Sequence, residues 1–160
     1  MRDYQKYAIV VSVFAAVLYL SLIVAGFGVV SLVTDREVID EPVASPVLGP
    51  VMAGVSVVLL FALMVKLGIT TRPERQRVAL GYAIGSGVAA SAAFVVVGGV
   101  GLALEGGDGV PFAGSLLISP FTAIVGVFGA IVVLSYSLIL ATQQGQRGRP
   151  LWPWESRDDG

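Results

Sequence analysis

Hydroxyl groups are the polar side chains that lie deep within the apolar stretches of this sequence. The central parts of these stretches carry no Asp, Glu, Lys, Arg or His. The hydroxyls have two interpretations. They bond to helical carbonyls or across helices, or Ser86 and Ser91, with Tyr136 or Ser137, line a small polar cleft. The hydroxyls considered are Ser12, Tyr19, Ser21, Ser56, Ser86, Ser91, Thr122, Ser135, Tyr136 and Ser137.

Several kinds of chemistry lack the residues that they require. The chain has no His and no Cys, so the usual general base, the commonest metal ligand and a thiolate nucleophile are missing. Proton-coupled pumps and voltage sensors depend on ionisable groups inside the membrane, which the central parts of the apolar stretches do not supply. We therefore expect a protein that is not an enzyme, with no cofactor, no metal site and no nucleic-acid partner.

Composition indicates an integral membrane protein of four helices. Hydrophobic residues make up 56% of the 160 residues and charged residues only 13%, whereas a soluble domain is about a quarter charged. A bilayer core needs about 20 apolar residues in a helix. The predicted spans are residues 7–33, 50–68, 78–104 and 121–142, within a transmembrane domain of residues 1–146 that is followed by a cytoplasmic tail, 147–160. The length of the first span favours an uncleaved helix over a signal peptide.

The charges alternate between successive connections. The N-terminal segment, the second loop and the C-terminal segment hold nine of the ten Lys and Arg residues, and Arg36 is the tenth. The first and third loops hold six of the eleven acidic residues. The positive-inside rule then predicts a multi-pass protein of the cell membrane with both termini in the cytoplasm.

The third span is rich in small residues at a spacing of four. Such spacing lets a second helix approach closely, and the fourth span repeats it. We expect helix packing through Gly81, Gly85, Ala89, Ala93, Gly126 and Ala130. A second face of the third span is predicted to meet lipid through Ile84, Val88, Val95 and Leu102. The partner helices belong either to this chain or to another.

The connecting segments carry local signals. The acids of residues 35–41 suggest a solvated loop, since a calcium site needs six or more oxygens. Thr71 and Glu74 have capping-box spacing before the third span, and residues 105–109 predict a tight glycine-rich turn. Residues 110–119 are either a short interfacial segment or the beginning of the last span. Pro50 and Pro120 are expected in first helical turns.

Two short similarities suggest a tandem repeat of a helical hairpin. Tyr7-Ala-Ile recurs as Tyr82-Ala-Ile, and Ser45-Pro46 recurs as Ser119-Pro120, at offsets of 75 and 74 residues. A duplication would relate the halves by an axis along the membrane normal. Chance similarity between apolar helices is the alternative.

With four spans placed, the chain resembles small four-helix membrane proteins of unknown function from high-GC actinobacteria. The resemblance rests on residues 27–35 (FGVVSLVTD), residues 47–51 (VLGPV) and the tryptophans of the tail, Trp152 and Trp154. It implies no activity and no catalytic residue. We therefore predict an all-α four-helix bundle in the lipid bilayer. It is expected to act as a scaffold, an accessory subunit or a homo-oligomer, and its partner is either a second copy of the chain or another membrane protein. The alternative is a pore or carrier for a neutral or weakly polar solute.

Overall fold

The computed structural model describes residues 3–39, 41–70 and 80–145, and these residues form five helices connected without strands. The helices are α1 (Asp3–Thr34), α2 (Leu48–Thr70), α3 (Leu80–Leu104), α4 (Gly109–Leu117) and α5 (Pro120–Gly145). The predicted cytoplasmic tail and the predicted capping box at Thr71 lie outside the described residues. The fold is all-helical, as the sequence predicts.

Four of the helices are long and apolar enough to cross a membrane. The segments that satisfy both conditions are Lys6–Thr34, Leu48–Ile69, Leu80–Leu104 and Pro120–Leu140. They overlap the four predicted spans, because an uninterrupted apolar run longer than a soluble helix usually needs is a strong signal.

The four long helices pack side by side, and each contacts at least two of the others. α1 and α3 each contact both α2 and α5, and α2 also touches α5. Gly68 of α2 lies against Ala8, whereas Gly49 lies near Ile39, so α1 and α2 run antiparallel. The core between the helices contains large apolar side chains that are fully buried, among them Ile23, Met52, Leu60, Met64, Phe94 and Val125.

Local chemistry explains where the helices stop. α1 ends at Thr34, and the next residue, Asp35, has a left-handed φ of 50°, a conformation that aspartate tolerates better than most residues. α3 ends in a Schellman motif, in which Gly106 has a φ of +90° and the Gly107 amide donates to the Leu102 carbonyl at 3.0 Å. Pro120 opens α5, where its missing amide hydrogen costs nothing.

The segment before the last span forms its own helix. α4 is nine residues long, and Pro111 lies in its first turn, where proline is tolerated. α4 packs on α3, with Ala113 against Gly99 and Leu116 against Gly98. Of the two alternatives for residues 110–119, the structure therefore gives a separate short segment, since the last long helix begins only at Pro120.

α4 also changes which side of α3 is covered. Ile84 and Val88 are exposed, as predicted for a lipid-facing side, but Val95 and Leu102 are buried, so the predicted lipid face is wrong for these two residues. The turn after α3 folds back onto Leu102, which contacts Gly107. Val95 lies on the same side of α3 as Leu102. It is one turn before Gly98 and Gly99, against which α4 packs. This cover could not be predicted from hydrophobicity, because α4 is itself apolar.

We call the end of the molecule that contains residues 35–47 and 105–119 the acidic end. There the backbone amide of Ser45 donates to a carboxylate oxygen of Glu105 at 2.8 Å. This bond joins the loop before α2 to the turn after α3. Phe27 stacks edge-on against Phe94 and Phe121, with ring centroids 5.8 and 5.3 Å apart, and so connects α1, α3 and α5 below the loops.

Candidate functional site

Buried hydroxyls join the helices by bonding to backbone carbonyls of a neighbour. The Tyr19 hydroxyl donates to the Val125 carbonyl at 2.9 Å, which connects α1 to α5. The Ser56 hydroxyl donates at 3.2 Å to the carbonyl of Ala90, which connects α2 to α3. Ser56 also lies 3.0 Å from the Met52 carbonyl of its own helix. A serine that can reach both carbonyls satisfies its hydrogen without water.

Two half-buried hydroxyls of α3 repeat this arrangement. The Tyr82 hydroxyl donates to the Leu63 carbonyl of α2 at 2.7 Å. The Ser91 hydroxyl donates to the Thr122 carbonyl of α5 at 3.1 Å. Together with the Tyr19 and Ser56 bonds, they connect α3 to both of its long neighbours and α1 to α5.

One cluster joins α1, α2 and α5 at the end opposite the acidic end. The Ser12 hydroxyl lies 2.8 Å from the Ala8 carbonyl and 3.1 Å from the Tyr136 hydroxyl, which itself lies 3.3 Å from the same carbonyl. Gly68 of α2 closes the cluster, because a Cβ there would collide with the Tyr136 hydroxyl and approach Ala8 to 3.0 Å. All these polar atoms are buried and have partners.

The four residues of the predicted polar cleft are distributed along the helices. Ser86 bonds at 2.8 Å to the Tyr82 carbonyl of its own helix, and Ser137 bonds at 2.8 Å to the Leu134 carbonyl. Ser91 bonds to α5 at Thr122, whereas Tyr136 lies fourteen residues further along that helix, about 21 Å away by helical rise. A path that uses these hydroxyls stays a prediction.

One hydroxyl differs from the rest of the described side chains. The Thr122 side chain is buried, and its oxygen has no hydrogen-bond partner. An unsatisfied buried hydroxyl is unfavourable, and this one belongs to the residue whose carbonyl accepts the Ser91 hydroxyl.

The small residues predicted for packing fall into three groups. Gly126 and Ala130 lie in the contact between α5 and α3, where a Cβ on Gly87 would collide with the Gly126 carbonyl oxygen and lie 3.1 Å from the Ala130 Cβ. Gly81 and Gly85 instead lie on an exposed side of α3, and a Cβ at either position would meet nothing within 4 Å.

The remaining two, Ala89 and Ala93, are half-buried. Sequence reasoning missed Gly87 as the point of closest approach within the chain. Nearly every residue from 85 to 93 is small, so spacing alone does not identify which register faces a neighbour.

Two clefts open at the acidic end. The larger has a volume of about 680 Å³ and lies between α1, α2 and the loop that connects them. The smaller, of about 400 Å³, lies between this loop and the chain from α4 to α5. Glu37, Val38 and Glu41 line both clefts, and Arg36 lines the smaller one. Within the described residues, no group of three or more acidic side chains is arranged to hold a metal ion.

Comparisons with known proteins place the chain at the level of a family. Neither the curated proteins nor the solved structures include a match to it. A family profile matches residues 1–160, the whole chain, and its description is a family of unknown function. The expectation of an uncharacterised family is therefore confirmed, and the chain belongs to DUF6121.

Proposed function

We propose that this protein is an integral membrane protein whose four long helices form a bundle, and that it acts by helix packing as a scaffold, accessory subunit or homo-oligomer. The observation that carries the proposal is the use of buried hydroxyls as links between helices, at Tyr19, Ser56, Tyr82 and Ser91. In lipid, interhelical hydrogen bonds and close contacts of small residues drive association. A non-enzymatic role agrees with an interior in which, among the described side chains, Thr122 alone leaves a buried hydroxyl without a partner.

The charge alternation supports an orientation with both termini in the cytoplasm. The acidic end would then face outward. The chain has no cysteine, so a single introduced thiol reports its own accessibility. We expect a membrane-impermeant maleimide added to intact cells to label Asp108→Cys and to spare Asp3→Cys until the cells are opened. Labelling of both variants in intact cells would contradict the orientation.

The exposed side of α3 that contains Gly81 and Gly85 is the surface that we propose for a second helix. Both glycines leave open space at the helix surface, and the neighbouring Val88 is 65% exposed. Two glycines one turn apart let another backbone approach the helix closely. This contact would join the protein to a second copy or to a different membrane protein.

Disulfide crosslinking in native membranes tests this surface. Gly85→Cys should give a crosslinked species of defined size, because the thiol would face its counterpart in a second copy or a cysteine of a partner. Val58→Cys is the matched control, since Val58 is 66% exposed on α2, away from the glycines. Equal crosslinking of the two variants, or none from Gly85→Cys, would count against the proposal.

The alternative is a pore or carrier for a neutral or weakly polar solute. One observation favours it, namely the unpartnered hydroxyl of Thr122 beside Ser91. Single cysteines at Ser86, Thr122 and Ser137 test it with small water-soluble thiol reagents. Labelling of all three from the aqueous phase would support a path, and protection of all three from both sides would exclude it.

A further inference from the structure

We propose that the larger cleft at the acidic end binds one acyl chain of a zwitterionic phospholipid, whose ammonium group is held by Glu37 and Glu41. The inference rests on the membrane placement proposed above, but not on the packing role of α3. It assigns a ligand to a surface that the helix contacts leave open.

The walls of the cleft are apolar and follow two helices. On α1 the lining residues are Leu20, Ile23, Val24 and Phe27, which recur at the three- and four-residue spacing of one helix side. They cover about 10 Å along the helix axis. On α2 the facing residues are small, including Gly49, Ala53 and Gly54. This combination forms a groove of about 680 Å³, within the usual range for ligand sites.

The space beside Gly54 is open. A Cβ built on Gly54 meets no atom within 4 Å, although this residue lines the cleft. Leu20 and Val24, across the groove, are 43% and 63% exposed. In a bilayer such a groove would be filled by an acyl chain, because lipid tails are the apolar groups at hand.

The head group decides which lipid is selected. An acyl chain gains little when it leaves other chains for an apolar groove, since lipid tails are as apolar as the groove walls. The mouth of the larger cleft carries the carboxylates of Glu37 and Glu41, and none of its described lining residues is basic. An ammonium group complements these charges, whereas an anionic head group would be repelled.

The smaller cleft accounts for the phosphate of the same lipid. It shares Glu37 and Glu41 with the larger cleft and adds the guanidinium of Arg36, a group suited to phosphate. Positive and negative side chains at adjoining mouths therefore match a zwitterion. Because the three charged residues are exposed, solvent weakens each interaction, and the expected selectivity is modest.

Native mass spectrometry of the full-length protein, purified in detergent, tests the site with two probes. Phosphatidylethanolamine should bind about threefold more than phosphatidylglycerol. Gly54→Leu should lower the bound phosphatidylethanolamine by about fivefold, because the leucine fills the groove. Gly28→Leu is the matched control, because Gly28 is also helical and a Cβ there would meet no atom within 4 Å, but it does not line the cleft. The Gly28→Leu variant should bind as much phosphatidylethanolamine as the wild type.

The combined variant Glu37→Gln and Glu41→Gln tests the head group without altering the core. It should bring the two lipids to equal binding. Equal binding in the wild type, a preference for phosphatidylglycerol, or equal losses in Gly54→Leu and Gly28→Leu would overturn the proposal. Resistance of the protein to carbonate extraction is measured on the membranes from which the protein is purified. It separates a failure of the lipid site from a failure of membrane placement.

Discussion

The contact between α3 and α5 offers a sharp test of the packing, because one glycine on α3 touches backbone and another does not. A Cβ on Gly87 would collide with the Gly126 carbonyl oxygen and lie 3.1 Å from both the amide nitrogen and the Cβ of Ala130. Backbone atoms cannot rotate away, so Gly87→Ala must move the helices apart. Gly85, two residues earlier on the same helix, faces open space.

Comparing the two alanine variants separates the steric cost of the close contact from the effect of helix propensity. Overpacking at a close contact costs about 1–3 kcal/mol. Replacing a helical glycine by alanine contributes about 1 kcal/mol in the opposite direction through helix propensity. The propensity contribution is common to both variants and cancels in their difference. We therefore expect Gly87→Ala to be less stable than Gly85→Ala by about 1–3 kcal/mol.

Reversible unfolding in mixed micelles of increasing SDS content measures this difference. The protein carries two tryptophans, Trp152 and Trp154, which both lie in the tail, so far-UV circular dichroism is the better probe. Equal stability of the two variants, or a more stable Gly87→Ala, would refute the close approach of α3 and α5.

Two further predictions concern individual hydrogen bonds. Tyr19→Phe removes the donor to the Val125 carbonyl and should lower the free energy of unfolding by about 0.6 kcal/mol, the average for an interhelical bond in a membrane protein, in the same micelle assay; a loss above about 2 kcal/mol would indicate a different role for the hydroxyl. Glu105→Ala removes the acceptor of the Ser45 amide and should speed hydrogen exchange at the beginning of α2, whereas Asp108→Ala, which loses no side-chain capping bond, should leave exchange there unchanged. Equal exchange in these two variants would contradict the link between the loops.

The spans could be predicted from the sequence because their signal is local. An apolar run of more than about 20 residues specifies a helix that can cross a bilayer, whatever its neighbours are. The same holds for Pro120, which was expected in a first helical turn and begins α5. The glycine-rich turn was also predictable, since Gly106 adopts a left-handed conformation that favours glycine.

Which side of a helix is covered by the rest of the chain could not be predicted, because this depends on contacts between residues that are distant in the sequence. Val95 and Leu102 share a side with Ile84 in sequence spacing, yet α4 and the preceding turn cover the end of α3 near the acidic loops. In a membrane protein, apolar residues occur on both covered and lipid-facing surfaces, so hydrophobicity does not separate the two. The cleft beside Gly54 was likewise invisible, because a loop residue such as Glu37 reaches it only after folding.

The repeat of helical hairpins stays a prediction. Ser12 and Ser86 are 74 residues apart, and each bonds at 2.8 Å to the carbonyl four residues earlier. The second half nevertheless contains α4, whereas the described residues of the first loop, 35–39 and 41–47, contain turns and bends without a helix. Serines in many helices bond to the preceding turn, so this likeness does not distinguish duplication from chance.

The mass of the protein in membrane discs excised directly from native membranes tests the central claim of a packing role. We expect the wild type to occur in a complex of reproducible mass above the 16.6 kDa of one chain. Gly85→Leu should reduce that complex by about fivefold by filling the open side of α3, and Val58→Leu should leave it intact. A single chain of 16.6 kDa in wild-type discs, or an unchanged complex in Gly85→Leu, would contradict the claim.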